Sequence, residues 1–266
     1  MTSGPYSLRL KSPSETGAHL FTLLSDYVQS TSTPAATVAQ SIHKLGEGPI
    51  ANPQNEGPSV ESFLWETWAV VIDLAKQLPN DGLDRLVDVL QALTAIPAST
   101  VSIWESESKV WTDLPILGPS MREAWITPDT DSPEETRTEW VNLNSFAARL
   151  LALPSITWVN FAVWTMRDAL ENRSDDKDIG TMHVDAAAEW VLHAGKELVG
   201  YATSTDQSEE RALAGGKLYH GPATVCAERW EFWKKRFGEV AEALGDNRVR
   251  AKAKKAQEAM ETITIG

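Results

Sequence analysis

The sequence predicts an all-α protein of about nine helices, packed as an irregular bundle or an array of antiparallel helix pairs. Apolar residues recur at helical spacing in nearly every segment with clear periodicity. Helix-start signals stand before several of those segments. No strand is expected beyond what the Leu218-Tyr219 neighbourhood could host, so helices must bury their apolar stripes against other helices.

Ser12-Pro13-Ser14-Glu15 reads as an N-cap, a first-turn proline and a capping-box acid, followed by Leu20, Leu24 and Tyr27 on one face. Thr33-Pro34 opens a second helix with Val38, Ile42 and Leu45 aligned and Gly46 as its C-terminal cap. The stretch 46–58 holds three Gly and three Pro and is expected to be an irregular linker. From Val60 to Leu78 the chain is apolar almost all round, leaving a narrow polar stripe of Ser62, Glu66, Asp73 and Gln77; such a helix is covered on most sides. Pro79-Asn80-Asp81-Gly82 stops it, and Leu83, Leu86, Val87, Leu90 and Leu93 mark the next. The short loop predicts an antiparallel pair.

A looser region from Pro97 to Pro119 carries Trp104 and Trp111. Ser120-Met121-Arg122-Glu123 reads as a capping box for a short helix to Ile126. Ser132-Pro133-Glu134-Glu135 is the strongest start signal, for a helix to Leu153 with Trp140, Leu143, Phe146, Ala147, Leu150 and Leu151 inward. Further helices are predicted over Ile156–Asn172 and roughly Met182–Tyr201. The segment 203–224 lacks periodicity and exceeds the usual connection, as a lid, a binding loop or a disordered loop would. Cys226, Trp230, Trp233, Phe237, Val240, Ala241 and Leu244 trace one more stripe, and Val249, Ala253, Ala256 and Met260 the last.

Composition narrows the functional classes. At roughly 150 residues per domain, 266 residues fit one to two domains. The expected divisions are 1–58, N-terminal helices and linker; 59–245, a helical core; and 246–266, a basic helix packed on that core as part of one domain. Cys226 is the single cysteine, so no internal disulfide forms. With 24 basic against 37 acidic side chains the net charge is −13, which argues against nucleic acid and anionic membranes as partners. No signal-peptide core and no apolar run of membrane-spanning length is found. Cytoplasmic residence is therefore expected, with the nucleus as the alternative.

Common catalytic signatures are missing. Gly216-Lys217 lacks the upstream glycine of a phosphate loop, since Arg211 stands there, and neither Gly-x-Ser-x-Gly nor His-Glu-x-x-His occurs. No cofactor is expected. The nearest cluster is Glu189, His193 and Glu197, four residues apart on one helix face: an acid–base group or a metal site, or else a boundary histidine between solvated acids. Metal is the least favoured of these, and none is assigned. Trp190 lies one turn before His193. Asn144 breaks an apolar stripe, and a buried amide there either fixes helix register or faces a polar cavity. Trp164 stands on an otherwise polar face with Asn160, Arg167 and Glu171, where Arg167 and Glu171 have i, i+4 spacing for an ion pair; the indole marks a partner site or is roofed by another element.

The run Glu228-Arg229-Trp230-Glu231-Phe232-Trp233-Lys234 is the densest in aromatic and charged residues, and Arg229, Phe232 and Arg236 could stack guanidinium on ring. Tyr219 and His220 feed into it from the preceding loop, so a pocket, if present, has its wall at this junction; core packing is the alternative. Trp is more frequent than Phe and Tyr combined, 11 against 6 and 4, and is dispersed over many helices, which favours core use. Residues 229–255 hold nine basic and four acidic side chains, a basic face for an acidic partner, for the acidic body of the same chain or for solvent.

The segments 139–150 (EWVNLNSFAARL), 164–171 (WTMRDALE) and 228–234 (ERWEFWK) resemble, in this order, signatures of a fungal family of uncharacterised proteins catalogued as a domain of unknown function. Trp65–Ala75 and Trp111-Thr112-Asp113-Leu114-Pro115 fit as well, so the resemblance spans about Val60–Phe237. It implies fungal origin, an all-helical intracellular protein and members found singly or near secondary-metabolism genes. It also raises interest in Asn144, Arg149, Arg167, Glu171, Glu228, Arg229 and Trp233, while implying no catalytic residues. Two functions are carried forward. One is a small-molecule or protein binding module, with Asn144, Trp164, Trp190, Tyr219, His220, Trp230 and Trp233 as candidate contacts. The other is a metal-independent enzyme of isomerase, cyclase or hydrolase type, using His193 with Glu189, or Glu228 with Arg229.

Overall fold

The computed structural model describes residues 6–10, 14–30, 32–51, 59–97, 99–174, 176–202 and 211–263. It is all-α as predicted, with ten α-helices and one two-stranded sheet among the described residues. The chain divides into two units, 1–126 and 127–266.

The first unit holds α1 (Glu15–Gln29), α2 (Ala35–Ala51), α3 (Val60–Gln77), α4 (Asn80–Thr94), β1 (Ser99–Ile103), β2 (Ser106–Val110) and α5 (Leu117–Ala124). Ser14 caps α1 by accepting from the Gly17 N–H, and Ser59 caps α3 from the Ser62 N–H; Ser12 and Pro13 lie outside the described residues. Although α3 and α4 are joined by a short loop, their main partners are elsewhere: α3 packs on α1, and α4 on α2. At the centre, Trp111 meets the edges of Phe63 and Trp68 at centroid distances of 6.3 and 6.0 Å. The Trp68 indole donates to the Pro115 carbonyl and that of Trp111 to His43 Nδ1, so both rings are buried without orphaning an N–H.

Three expectations fail in this unit. Residues 46–51 are helical, not linker: α2 runs through Pro49 to Ala51, with Ile50 buried as the anchor of its last turn; 52–58 lie outside the described residues. The looser region contains an antiparallel hairpin, Ser99 facing Val110 and Ile103 facing Ser106, that buries Val101, Ile103 and Val110. Ser120 does not cap a helix, because α5 starts earlier, at Leu117, after Ile116 in a left-handed conformation; Ser120 lies buried inside it.

The second unit holds α6 (Glu134–Leu150), α7 (Val159–Met166), a π-helical turn (Arg167–Glu171), α8 (Lys177–Ala202), a 3-10 turn (Arg211–Leu213), α9 (Ala227–Ala243) and α10 (Asn247–Thr262). The long α8 is the spine, packed by α6, α7 and α10, while α9 pairs with α10. Its buried run Ala186-Ala187-Ala188 offers small side chains to those neighbours. Ser132 does not cap α6: its hydroxyl closes a turn with Asp129, and Pro133 takes the cap position, with Glu134 and Glu135 in the first turn favouring the helix dipole. That helix ends at Leu150 instead of Leu153. The predicted helix 156–172 is a short α-helix ending in the π turn, and α8 begins at Lys177, where Asp176 accepts from the Asp178 and Ile179 N–H groups.

Candidate functional site

The π turn decides the chemistry of the second unit. An α-helical continuation would set Glu171 one turn from Arg167 as an ion pair. The wider turn, closed by the Asn172 N–H on the Arg167 carbonyl, instead sends Glu171 inward with no solvent contact. Arg167 donates to the Ala214 carbonyl and pairs loosely with Asp168. Glu171 is met by Arg229 in a bidentate pair, Nε to Oε1 at 2.7 Å and Nη2 to Oε2 at 3.0 Å. The Trp233 indole donates to Oε1 and the Gly216 N–H to Oε2, both at 2.7 Å. Arg229 Nη1 donates to the Leu213 and Thr224 carbonyls. Every charged atom of this fully buried pair is therefore hydrogen-bonded, the condition for tolerating an interior ion pair.

The pair also organises the loop before α9. Leu218 donates to the Glu171 carbonyl and the Lys217 N–H to the Asn172 side chain. Gly216 is required: a Cβ there would lie 2.7 Å from the Glu171 carbonyl oxygen. The Arg229 guanidinium sits 4.9 Å from the Tyr219 ring centre and 5.2 Å from that of Trp233, so it stacks on these rings and not on Phe232. Tyr219 packs against Phe232 at 5.3 Å and its hydroxyl meets Cys226 Sγ at 3.6 Å. Burial, helped by the Cys226 contact, raises the pKa of this phenol and keeps it neutral.

In front of Tyr219 lies an open cleft of about 600 Å³, lined by Tyr219, His220, Glu228, Phe232, Lys235 and Gln257 among others. The junction of loop and helix does form a cavity wall, as one of the two sequence readings had it. Trp230 and Trp233 are not part of it; both are buried in the core. Gln257 and Lys235 were missed, because Gln257 reaches the cleft from α10, passing over Gly238, a long-range approach with no local signature.

Asn144 is fully buried and fixes register. Its amide donates to the Trp140 carbonyl, and its oxygen accepts from Thr165 on α7 at 2.7 Å and from the Trp190 indole on α8 at 2.9 Å. One amide thus joins three helices, and Trp190 is one of its partners. Trp164 is roofed in part: half-buried, it donates to the Ala212 carbonyl.

Glu189 is not a solvated acid. It is buried, accepting from Ser145 at 2.6 Å and Lys252 at 2.5 Å, with His193 Nε2 at 3.1 Å. Burial by itself would raise its pKa, but His193, Lys252 and Ser145 together outweigh that and bring it to about 2. Asp185 extends the network, pairing with Lys252 and with Arg248 at 2.6 Å, while Arg149 donates to Ser145 from the next turn of α6. No bond joins Glu197 to His193 among the described residues, and no group of three or more His, Cys, Asp or Glu side chains there converges as metal ligands would.

No helix among the described residues is long and apolar enough to cross a membrane. A family model described as "Protein of unknown function (DUF3632)" matches residues 68–237. No curated protein and no solved structure matches the chain.

Proposed function

We propose a binding role for this chain, which belongs to the DUF3632 family of proteins of unknown function: the cleft before α9 holds a small molecule with a flat apolar body and a cationic or donor group. One observation carries the reading. The aromatic wall is fixed from behind by a saturated ion pair, whereas the side chains of His220 and Glu228, which line the open side, make no hydrogen bond or ion pair with another described residue. Rigid apolar surface with a few unspent polar groups is the composition of a ligand site. Phe232 and Tyr219 would take the flat body, and Glu228 the donor.

Catalysis is less well supported. Glu189, at about 2, is too weak a base to take a proton near neutral pH, and Arg229 has its hydrogen bonds committed to the fold. The enzyme reading keeps one favourable observation, the contact of part-exposed His193 with Glu189, and would require loss of turnover in His193→Ala. A fungal, cytoplasmic or nuclear setting close to secondary metabolism belongs to the same proposal, supported by the likeness of the segments 139–150, 164–171 and 228–234 to the fungal family.

Isothermal calorimetry with tryptamine, a flat ring bearing one ammonium group, tests the binding reading. Saturable binding is expected, weakened about tenfold by Phe232→Ala and by Glu228→Gln, the effect of losing one contact worth about 1.4 kcal/mol. Absence of binding, or affinity unchanged in both variants, would reject it.

A further inference from the structure

A second surface, in the first unit, carries an independent inference. The β1–β2 hairpin is anchored by one face, Val101, Ile103 and Val110, which is buried. Its two-residue turn is Trp104-Glu105, between the Ile103–Ser106 pair, and both residues have positive φ, 51° and 63°. Such a turn favours Asn-Gly, and a bulky indole is an unfavourable occupant of it. Turn propensity therefore does not account for tryptophan at this position.

The indole is 57% exposed, one of two large apolar side chains so exposed among the described residues. Its orientation is set, because Nε1 donates to Glu61 Oε1 at 3.0 Å in the first turn of α3. The surroundings are acidic: Glu61 touches the ring, and Glu105 and Glu107 are exposed on the hairpin itself. The unit as a whole has seven basic against fourteen acidic side chains, a formal −7. Tryptophan is the best aromatic partner for an arginine or lysine side chain, and neighbouring carboxylates add attraction for the same charge.

We propose that this hairpin tip is a docking point for a basic peptide segment of a protein partner, with an arginine or lysine side chain laid on the Trp104 indole beside Glu61 and Glu105. The N–H bond to Glu61 presents the ring ready-oriented, so binding requires little reordering at the tip.

Fluorescence anisotropy of a labelled (Gly-Arg-Ser)4 peptide against the full chain, at about 0.15 M salt to suppress unspecific attraction, tests the proposal. The arginine peptide is expected to bind, and the matched (Gly-Gln-Ser)4 peptide not to. Trp104→Asn places a residue favoured at positive φ, which offsets the lost bond to Glu61, so it should keep the thermal midpoint while weakening peptide binding about tenfold, the factor for a cation–π contact of ordinary size. Trp104→Phe should retain part of the affinity, and Glu105→Gln should weaken it and flatten its salt dependence. Affinity within twofold of wild type in Trp104→Asn would show attraction by net charge alone and overturn the proposal. Equal binding of the glutamine peptide would do the same.

Discussion

Glu171 and Arg229 show how much one buried contact organises. The carboxylate accepts two bonds from Arg229, one from Trp233 and one from the Gly216 backbone, and Nη1 of the guanidinium donates to the Leu213 and Thr224 carbonyls. Glu171→Gln leaves an interior guanidinium without its counter-charge, and the expected loss is about 3–5 kcal/mol in urea unfolding. Combining it with Arg229→Met should cost clearly less than the two single changes added, because no lone charge then remains inside. Additive losses would mean that the pair does not act as a unit. Sequence reasoning marked both residues but paired Glu171 with Arg167, since spacing arguments assume 3.6 residues per turn and the π turn breaks that assumption. Asn144 was legible for the opposite reason: an amide inside a regular apolar stripe has to find partners, and it finds Thr165 and Trp190.

Helices with a one-sided apolar period were legible down to their buried residues, as in Val249, Ala253, Ala256 and Met260 on α10. What escaped was set by contacts distant in sequence. The β1–β2 hairpin has only three inward apolar residues and a Trp-Glu turn in place of Asn-Gly, so neither alternation nor turn chemistry announced it. Pro49 reads as a helix breaker, yet α2 continues past it to bury Ile50. The basic face of α10 offers three readings in sequence, a solvated face, a dock for an acidic partner and a dock on the acidic body of the same chain. Part of it is spent within the unit, where Lys252 bonds Asp185 and Glu189 of α8 and Arg248 bonds Asp185. Acid should loosen this attachment. Glu189 ionises near 2 against an ordinary 4.5, so the folded form is favoured by the charged carboxylate at every pH above the ordinary value. As the pH falls from 4.5 toward 2 the unfolded chain takes up a proton that the folded chain refuses, and stability on the order of 3 kcal/mol is lost. In Glu189→Gln, unfolding free energy should depend less on pH across that interval; an unchanged slope would remove Glu189 as the source.

At the scale of the whole chain, the fold class followed from periodicity and the use of tryptophan from arithmetic. Six of the eleven indoles are buried and one is exposed, so they build cores and no single aromatic cage. The division at 126/127 was not legible, because nothing in local composition marks Ile126-Thr127 as a boundary; Gly and Pro are denser at 46–58, part of which proved helical. Nor was the cleft's full outline, to which three separate stretches of the second unit contribute: the 218–221 loop, α9, and Gln257 of α10. Chemical-shift mapping of the isotope-labelled protein during a tryptamine titration examines that cleft without assuming which residues matter. Saturable shifts should concentrate in residues 218–221, 228–235 and Gln257. Saturable shifts centred anywhere else, or none up to the solubility limit of the amine, would contradict the assignment of a binding site to this cleft.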